Sequence, residues 1–390
     1  MGRPGGAPVQ SGAEVVRRCR VFRVPTSGPD DVGGLLTLLA SGAVAASEIR
    51  AIFGKTEGNG CVNDFTRAFA VAALQAALAG PLDCRPAEVG RRVAMVMSGG
   101  TEGGLSPHLL VFAVGPVPAG AGRGKSLAIG TAFTRPFRPE ELGRMPQVEV
   151  TAAAVAAAMA DAGIAEPDDV HYVQVKCPLL TSATAAEAAS RGQRVVTDST
   201  YKSMGYSRGA SALGVALALG EVARGALHDD AVCRRLDLWS GRASTSAGVE
   251  LAHNEVIVLG NSAGWASEDV IAHRVMRDAI DLPALLDALE DVGLPARGQL
   301  DAEARAHVAA VLAKADPDSA GRIRGARHVM LEDSDINATR HARALVGGVL
   351  AGVIGRTDLF VSGGAEHQGP DGGGPVAVIA RRPDLRGARR

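Results

Sequence analysis

Apolar and polar positions along the chain form two kinds of run that follow one another. Short and almost continuously apolar runs predict strands at residues 19–25, 92–97 and 255–259. Other runs predict helices, the longest of them rich in Ala, at residues 30–40, 46–53 and 67–79. Because the two kinds of run alternate, the pattern predicts an α+β fold in which strands pack under helices.

Two segments of small residues are typical of linkers. Residues 116–125 are rich in Gly and Pro, and residues 261–267 follow the predicted strand 255–259. They divide the chain into three pieces of similar size. We therefore predict three units, and their bounds are 1–118, 119–262 and 263–390.

Composition excludes several classes of protein. The chain has 390 residues, 46% of them hydrophobic, so a disordered chain is excluded. It contains 49 Gly without a three-residue period, which excludes a collagen. With a net charge of −1 and 3% aromatic residues, it has neither the basic excess nor the stacking platforms of a general nucleic-acid surface. We expect a globular protein with no nucleic-acid partner.

Targeting signals and cysteine spacing bear on the compartment. No apolar run is long enough to span a bilayer, so we expect no membrane partner. Residues 1–11 are rich in Gly and Pro and predict a flexible extension rather than a secretory signal. Five scattered cysteines without a CxxC pair argue against structural zinc and disulfides, and they favour the reducing cytoplasm. They are Cys19, Cys61, Cys84, Cys177 and Cys233.

One short pattern, Ser-x-Gly-x-Glu, occurs three times, once in each predicted unit, at residues 98–102, 246–250 and 362–366. A hydroxyl residue followed by Arg precedes each copy and begins an Ala-rich run, and a Lys stands further upstream. In chain order these residues are Lys55, Thr66-Arg67, Ser98, Lys176, Ser207-Arg208, Ser246, Lys314, Thr339-Arg340 and Ser362. Three copies in one order predict three structurally similar repeats around a pseudo-threefold axis.

The repeated residue types suit one kind of chemistry. A Ser-Gly step after a strand presents a hydroxyl and leaves backbone N–H groups free to hold a carbonyl oxygen or an oxyanion. A buried Lys surrounded by Arg loses its proton more easily and can then act as a base for Ser. Arg offers paired donors to carbonyl oxygens. Three such sets around one axis favour amide hydrolysis of a small ring rich in carbonyls, such as a cyclic imide or a triazine.

Other residues of the motifs have supporting roles in this prediction. Glu102, Glu250 and Glu366 are expected to tie the repeats together or to neutralise a Lys or Arg. His108 and His367 follow two of the motifs closely, and we expect them to be structural or to lie behind the site. Two other functions stay open: a module that binds a ring without cleaving it, and a structural assembly protein. The intact set of Lys, Arg and Ser residues argues against both.

At these residues the sequence resembles the cyanuric acid hydrolase and barbiturase family of ring-opening amidohydrolases. The resemblance extends over residues 21–381. It is carried by GKTEGNGCVNDFTR (54–67), MSGGTEGGLSPH (97–108), VQVKCPLL (173–180), TYKSMGYSRGASALGVALALGE (200–221), ASTSAGVEL (243–251), DSDINATR (333–340) and VSGGAEHQGPDGGGPVAVIAR (361–381). It implies three repeats that form a β-barrel-like core surrounded by helices. It also implies a small cyclic imide as substrate, cyanuric acid more closely than barbituric acid, and no cofactor in catalysis.

The resemblance also implies a role for each repeated residue. Ser246 would be the nucleophile and Lys176 its base. The remaining positions would bind and polarise the ring, with Arg340 and Arg343 as rivals for one role. They are Lys55, Arg67, Ser98, Gly99, Arg208, Ala247, Lys314, Arg340, Arg343, Ser362 and Gly363.

A structural divalent cation and an oligomer are implied as well. The family holds a metal ion in its third repeat, and oxygen ligands there suit Mg²⁺ or Ca²⁺. The positions that match are Asp316, Ala365, Gln368, Gly369, Pro370 and Gly373. The family usually has Glu where this chain has Asp316, which is one methylene shorter. The resemblance further implies a homo-oligomer, often a tetramer.

Overall fold

A computed structural model describes residues 15–118 and 124–383 of the chain. The extension predicted at residues 1–11 and the middle of the linker predicted at 116–125 lie outside the described residues. The strands are β1 Val15–Pro25, β2 Ile49–Thr56, β3 Ala94–Gly99, β4 His108–Pro118, β5 Ser126–Phe133, β6 Val170–Pro178, β7 Ala243–Gly248, β8 Glu255–Ser262, β9 Asp269–Met276, β10 Val308–Ala315, β11 Arg322–Ile323, β12 Ala326–Arg327, β13 Phe360–Gly363 and β14 Gly374–Arg381. The helices are α1 Gly33–Ala40, α2 Phe65–Ala79, α3 Pro86–Val89, α4 Met145–Ala162, α5 Ser182–Ser190, α6 Thr200–Ala218, α7 Leu282–Asp291, α8 Ala302–His307 and α9 Ala338–Ile354.

Three four-stranded sheets share one strand order. The orders are β1-β4-β2-β3, β5-β8-β6-β7 and β9-β14-β10-β13. In each sheet the last two strands are parallel and the other neighbours are antiparallel. The elements make the fold mixed α/β. In the described part of the chain every sheet ends in edge strands, so the expected barrel-like core is not a closed barrel. The unit bounds at 118 and 262 stay a prediction.

All three sheets contribute to one hydrophobic core. The Phe53 ring on β2 lies 4.8 Å from the Phe112 ring of the same sheet and 5.6 Å from the Phe360 ring of the third sheet. Val256 and Ile257 of the second sheet belong to the same buried cluster. Because one core joins the sheets, the strand ends that carry the three motifs are held at fixed positions relative to one another.

Strand register aligns the Lys and the Ser of every motif. On the parallel pairs, Lys55 is the register partner of Ser98, Lys176 of Ser246, and Lys314 of Ser362. Register partners place their side chains on the same face of a sheet. Each sheet therefore directs one Lys and one Ser to the same side.

Three helices with polar N-caps carry the Arg residues. The Asp64 carboxylate accepts the Thr66 N–H at the start of α2, Ser199 caps α6, and Asn337 caps α9. Gly214 of α6 lies against α4, where a Cβ would come within 2.7 Å of the Val148 carbonyl oxygen. The small residues of these helices thus allow close packing. No helix among residues 15–118 and 124–383 has the length and hydropathy to cross a membrane.

Two predictions from the apolar pattern need correction. The helix predicted at 46–53 is wrong, because most of this run is the central strand β2, preceded by a single 3-10 turn. Nearly every β2 side chain is buried, and a strand buried on both faces does not show the alternation that distinguishes strand from helix. The segment 261–267, expected as a linker, is packed: Trp265 is buried and its indole N–H donates to the Ala162 carbonyl at 2.7 Å.

Candidate active site

The Ser hydroxyls of the three motifs meet at one point. Ser98 Oγ lies 3.2 Å from Ser362 Oγ, and Ser246 Oγ lies 3.0 Å from Ser362 Oγ. All three side chains are buried. The third repeat therefore links the other two, and residues that are far apart in sequence form one cluster.

A small cavity surrounds the three hydroxyls. Every motif contributes to its wall, together with Arg residues from the three helices. The lining residues are Gly60, Arg67, Met97, Ser98, Gly99, Lys176, Met204, Arg208, Ser246, Ala247, Arg343, Ser362 and Gly363. A second cavity of about 320 Å³ shares Gly60, Met204, Arg208, Arg343 and Gly363 with it. Its size is that of a site for a small molecule, and it adjoins the cavity that contains the three hydroxyls.

The three Lys side chains are buried but make different bonds. Lys55 Nζ donates to Ser98 Oγ at 3.2 Å, and Lys314 Nζ donates to Ser362 Oγ at 3.3 Å. Lys176 Nζ instead donates to the Met97 carbonyl at 2.8 Å and lies 2.7 Å from Glu250 Oε1. Within the part of the chain that the structure describes, Lys176 has no hydrogen bond to its register partner.

Burial lowers the pKa of all three Lys side chains, because the charged form loses its hydration. The pKa of Lys55 is held well below its usual range by burial and then by Arg343. Burial and Arg208 bring the pKa of Lys314 to about 7. Burial also lowers the pKa of Lys176, although the Glu250 carboxylate opposes this. A lowered pKa favours the neutral amine, which is the form that a base for Ser requires.

The three motif Glu residues tie the repeats together, as predicted. Glu366 accepts two hydrogen bonds from Arg208, at 2.8 and 2.6 Å. Glu102 accepts the Nε–H of Arg343 at 2.7 Å and also an Nη2–H. Glu250 forms an ion pair with Lys176 and lies 3.8 Å from Arg67. Each Glu thus faces an Arg from another predicted unit, in a cyclic order.

Of the two rival Arg residues, the structure places Arg343 at the site. The Arg343 side chain is 4% exposed and lines both cavities. Arg340 is 39% exposed, and its nearest acidic partner is Glu102 at 3.3 Å. The motif pattern pointed to Arg340, but one helical turn separates the two and only Arg343 faces inward.

Glycine is required where backbone and guanidinium groups approach. Gly364 has φ +76°, and a Cβ there would overlap the Arg208 guanidinium. Gly100 has φ +107°, and its Cβ would lie 2.6 Å from Arg343 Nη2. L side chains rarely adopt either backbone conformation. The repeated Gly positions thus allow the Arg side chains to reach the cavity.

The predicted metal positions lie together beside the third sheet. Asp316 accepts hydrogen bonds from the Ala365 N–H at 3.0 Å and from Thr339 Oγ1 at 3.2 Å. Gln368 Oε1 accepts the Thr245 N–H at 2.7 Å. Among residues 15–118 and 124–383, no three His, Cys, Asp or Glu side chains are placed to hold a metal ion. The six predicted positions offer one carboxylate, that of Asp316, with carbonyl and amide oxygens, and this all-oxygen donor set suits a hard cation.

Sequence reasoning missed Glu255. It is the register partner of Lys176 on β8, the strand on the other side of β6 from Ser246. Its carboxyl accepts the Met95 N–H at 2.9 Å, and burial raises its pKa to about 8. The available signal was one acidic residue at the start of an apolar strand, which carries little information without the register.

The two His residues near the motifs have structural positions. His367 accepts the Cys233 N–H at its Nε2, and its Nδ1 faces the Leu238 carbonyl. His108 is the register partner of Lys55, and burial lowers its pKa to about 4. His108 is thus neutral at pH 7.

Comparisons with known proteins identify the family of the chain. The profile of the family described as amidohydrolase ring-opening proteins matches residues 20–381. The cyanuric acid amidohydrolases of Bradyrhizobium diazoefficiens and Azorhizobium caulinodans are 59% and 57% identical, each over 93% of this chain and 98% of theirs. A solved cyanuric acid hydrolase, described as an evolutionary innovation by structural concatenation, superposes with a TM-score of 0.91, at 53% identity, over 94% of this chain and 100% of its own. Another, from A. caulinodans, gives 0.87 at 55% identity, over 94% and 99%. The chain therefore belongs to the family of ring-opening amidohydrolases and is a hydrolase.

Proposed function

We propose that the protein opens the ring of cyanuric acid by hydrolysis, with Ser246 as the nucleophile and Lys176 as its base. The observation that carries this proposal is the meeting of three Ser hydroxyls, each in register with a buried Lys. Cyanuric acid is a six-membered ring with three equivalent carbonyls, so it matches a site built from three like parts. The relatives named above bear the name of this activity.

The first step forms an acyl-enzyme. Neutral Lys176 takes the proton of Ser246, and Oγ attacks a ring carbonyl carbon. Backbone N–H groups of the Ser-Gly steps and the Arg side chains stabilise the oxyanion. The C–N bond then breaks, and the Lys176 ammonium returns its proton to the leaving ring nitrogen. The ring is now an open chain attached to Ser246 through its carbonyl.

The second step releases the product. Lys176 takes a proton from a water molecule, which attacks the same carbonyl, and the Ser246 oxygen leaves with that proton. The product is carboxybiuret, which loses carbon dioxide to give biuret. Lys55 with Ser98, and Lys314 with Ser362, bind and polarise the other two ring carbonyls. Arg67, Arg208 and Arg343 bind the ring oxygens.

The test is turnover by the purified protein and three matched variants. Wild type is assayed on cyanuric acid and on barbituric acid by loss of ring absorbance and by biuret formation. We expect S246A to lose at least about 10³-fold in kcat with an unchanged thermal midpoint. S98A and S362A lose their ring contacts and should mainly raise KM. Near-normal turnover by folded S246A would refute the nucleophile, and turnover of neither ring by wild type would refute the function.

We also propose a structural Mg²⁺ or Ca²⁺ at the loop beside the third sheet. Its ligands would be oxygens of Asp316, Ala365, Gln368, Gly369, Pro370 and Gly373. The position of Asp316 against this loop supports the proposal. Such an ion would hold the loop that follows Ser362 in place and take no part in the chemistry. The tetramer and the cytoplasmic location are likewise proposals, drawn from the resemblance and from the cysteine pattern.

A further inference from the structure

The middle motif departs from the arrangement that the other two share. In the first and third motifs the Lys bonds to its own Ser, at 3.2 and 3.3 Å. The Glu of each of those motifs bonds directly to an Arg. In the middle motif Lys176 lies 2.7 Å from Glu250, while Arg67 is 3.8 Å from the same carboxylate. The chain thus contains two arrangements of the same four residue types.

The Nε–H group of Arg67 makes no hydrogen bond within the described part of the chain, whereas the Nε–H groups of the other two Arg residues bond to a Glu. Nε of Arg208 donates to Glu366 at 2.8 Å, and Nε of Arg343 donates to Glu102 at 2.7 Å. Arg67 Nε has no hydrogen-bond partner among the described residues, although its side chain is only 3% exposed. Its Nη2 is held by the Cys61 carbonyl at 2.8 Å. A buried donor without a partner is costly, so a carboxylate that moved onto Nε would be stabilised there.

We propose that Glu250 is a positioning residue with two alternative partners, which controls when Lys176 is available to Ser246. In one arrangement, the one seen in this structure, Glu250 lies against Lys176 and favours its ammonium form. In the other, Glu250 bonds to Arg67 Nε, as the first and third motifs do, and Lys176 turns to Ser246. The inference rests on the proposed function and deepens it, since only the second arrangement can deprotonate the nucleophile.

The charges around Lys176 support this assignment. Burial disfavours the ammonium form, and Arg67 disfavours it further. Glu250 favours the ammonium and is itself ionised, because Lys176 and Arg67 lower its pKa against the effect of burial. The other groups near Lys176 are the Cys177 thiol of its own strand and Glu255 of β8, whose raised pKa favours its protonated form. Glu250 is thus the carboxylate that decides the charge of Lys176.

Two further cations lie in the same cavity. Arg208 and Arg343 line it with Lys176, and each is bound to a Glu of its own. Because the charges of Arg208 and Arg343 are balanced by their own Glu partners, Glu250 and Arg67 have the larger effect on the charge of Lys176. Moving Glu250 from Lys176 to Arg67 therefore leaves a buried amine without a carboxylate partner, which favours its neutral form.

The experiment compares E250Q with E102Q, since both Glu residues occupy the same place in their motifs. The measurement is the pH dependence of kcat/KM for cyanuric acid. We expect the acid limb of E250Q to move to lower pH by about one unit or more, because an ammonium loses its carboxylate partner. In E102Q the limb should stay in place and KM should rise, because Arg343 loses the carboxylate that orients it. A merely structural role would lower activity equally at every pH.

A second measurement keeps the inference testable if E250Q is inactive. Cyanate carbamylates neutral amines, so the pH at which Lys176 reacts can be followed by mass spectrometry without turnover. The pH at which Lys176 reacts at half its maximal rate, the half-point of labelling, should be lower in E250Q than in wild type and E102Q. Equal half-points, or an equal shift in E102Q, would overturn the inference. If wild type opens no ring while the labelling shift is present, the proposed function fails and the control of Lys176 by Glu250 stands.

Discussion

Glu255 offers a test of how burial sets the charge next to Lys176. Its carboxyl is buried at the start of β8 and accepts the Met95 N–H at 2.9 Å. Burial raises its pKa to about 8, while that hydrogen bond and Lys176 oppose the rise and Glu250 adds to it. Replacing Glu255 with Gln keeps the shape and an acceptor for Met95. The variant differs from wild type in that position 255 no longer titrates.

The magnitude follows from proton linkage. The ordinary pKa of Glu is 4.5, so between that value and about 8 the folded state holds a proton that the unfolded state has released. A group whose pKa is raised on folding stabilises the protein most below its unfolded pKa, and this stability is lost as pH rises through the folded pKa. From about pH 5.5 to about pH 8.5 the loss is about 3 kcal/mol. In E255Q no carboxyl titrates at this position, so its free energy of unfolding does not fall for this reason.

The assay is urea unfolding of wild type and E255Q at both pH values. The free energy of unfolding of wild type minus that of E255Q should fall by about 3 kcal/mol between them. Other titrating groups change both proteins alike and cancel in this difference. Glu303→Gln, at an exposed position in the first turn of α8, is the matched control, and its difference from wild type should not change with pH.

A constant difference between wild type and E255Q would refute the reasoning. It would mean that Glu255 is ionised throughout, so that Lys176 faces two carboxylates instead of one. A second carboxylate would favour the Lys176 ammonium further, which argues against Lys176 as the base proposed here. The stability measurement thus bears on the mechanism without requiring turnover.

The remaining predictions concern the substrate contacts and the metal loop. R343A should lower kcat/KM for cyanuric acid about 10- to 100-fold, the cost of a lost charged hydrogen bond, while R340A should stay within about threefold. Equal losses in steady-state kinetics would contradict the placement of Arg343. Wild type treated with a chelator should bind Mg²⁺ or Ca²⁺ in calorimetry and gain thermal stability on binding, and D316N should bind more weakly. A wild type that binds neither ion would refute the metal site.

Local patterns were sufficient to predict the components of the site. Repetition of the pattern was enough to group one Lys with one Ser in each motif. The register of the parallel strands brings Lys55 beside Ser98 and Lys314 beside Ser362. The strands at 92–97 and 255–259 and the helix at 67–79 are likewise confirmed by β3, β8 and α2. Such features depend on residues close in sequence or on a motif that recurs.

The contacts that connect distant segments could not be predicted in this way. Arg340 and Arg343 both follow the start of α9, and only the packing of that helix against the first and third motifs decides which one faces the cavity. The role of Glu255 depends on β8 lying between β5 and β6, a crossover that no local pattern reveals. The helix predicted at 46–53 failed for the same reason, because burial on both faces of β2 comes from its position inside the sheet.

Three equal Lys-Ser pairs around one symmetric ring would be equally able to attack it, so the surroundings of one pair have to differ from those of the other two. The register supplies such a difference. The residue across from Lys55 is His108, and the one across from Lys176 is Glu255. In the third sheet β14 pairs Val376 with Ala313, which brings Pro375 to the position across from Lys314. Among these three partners across the sheets, Glu255 alone carries a carboxyl, which adds to the Glu250 carboxylate near Lys176. The middle pair is the one to which the nucleophile is assigned on independent grounds, by resemblance, so the carboxyl of Glu255 distinguishes the proposed nucleophile pair from the other two.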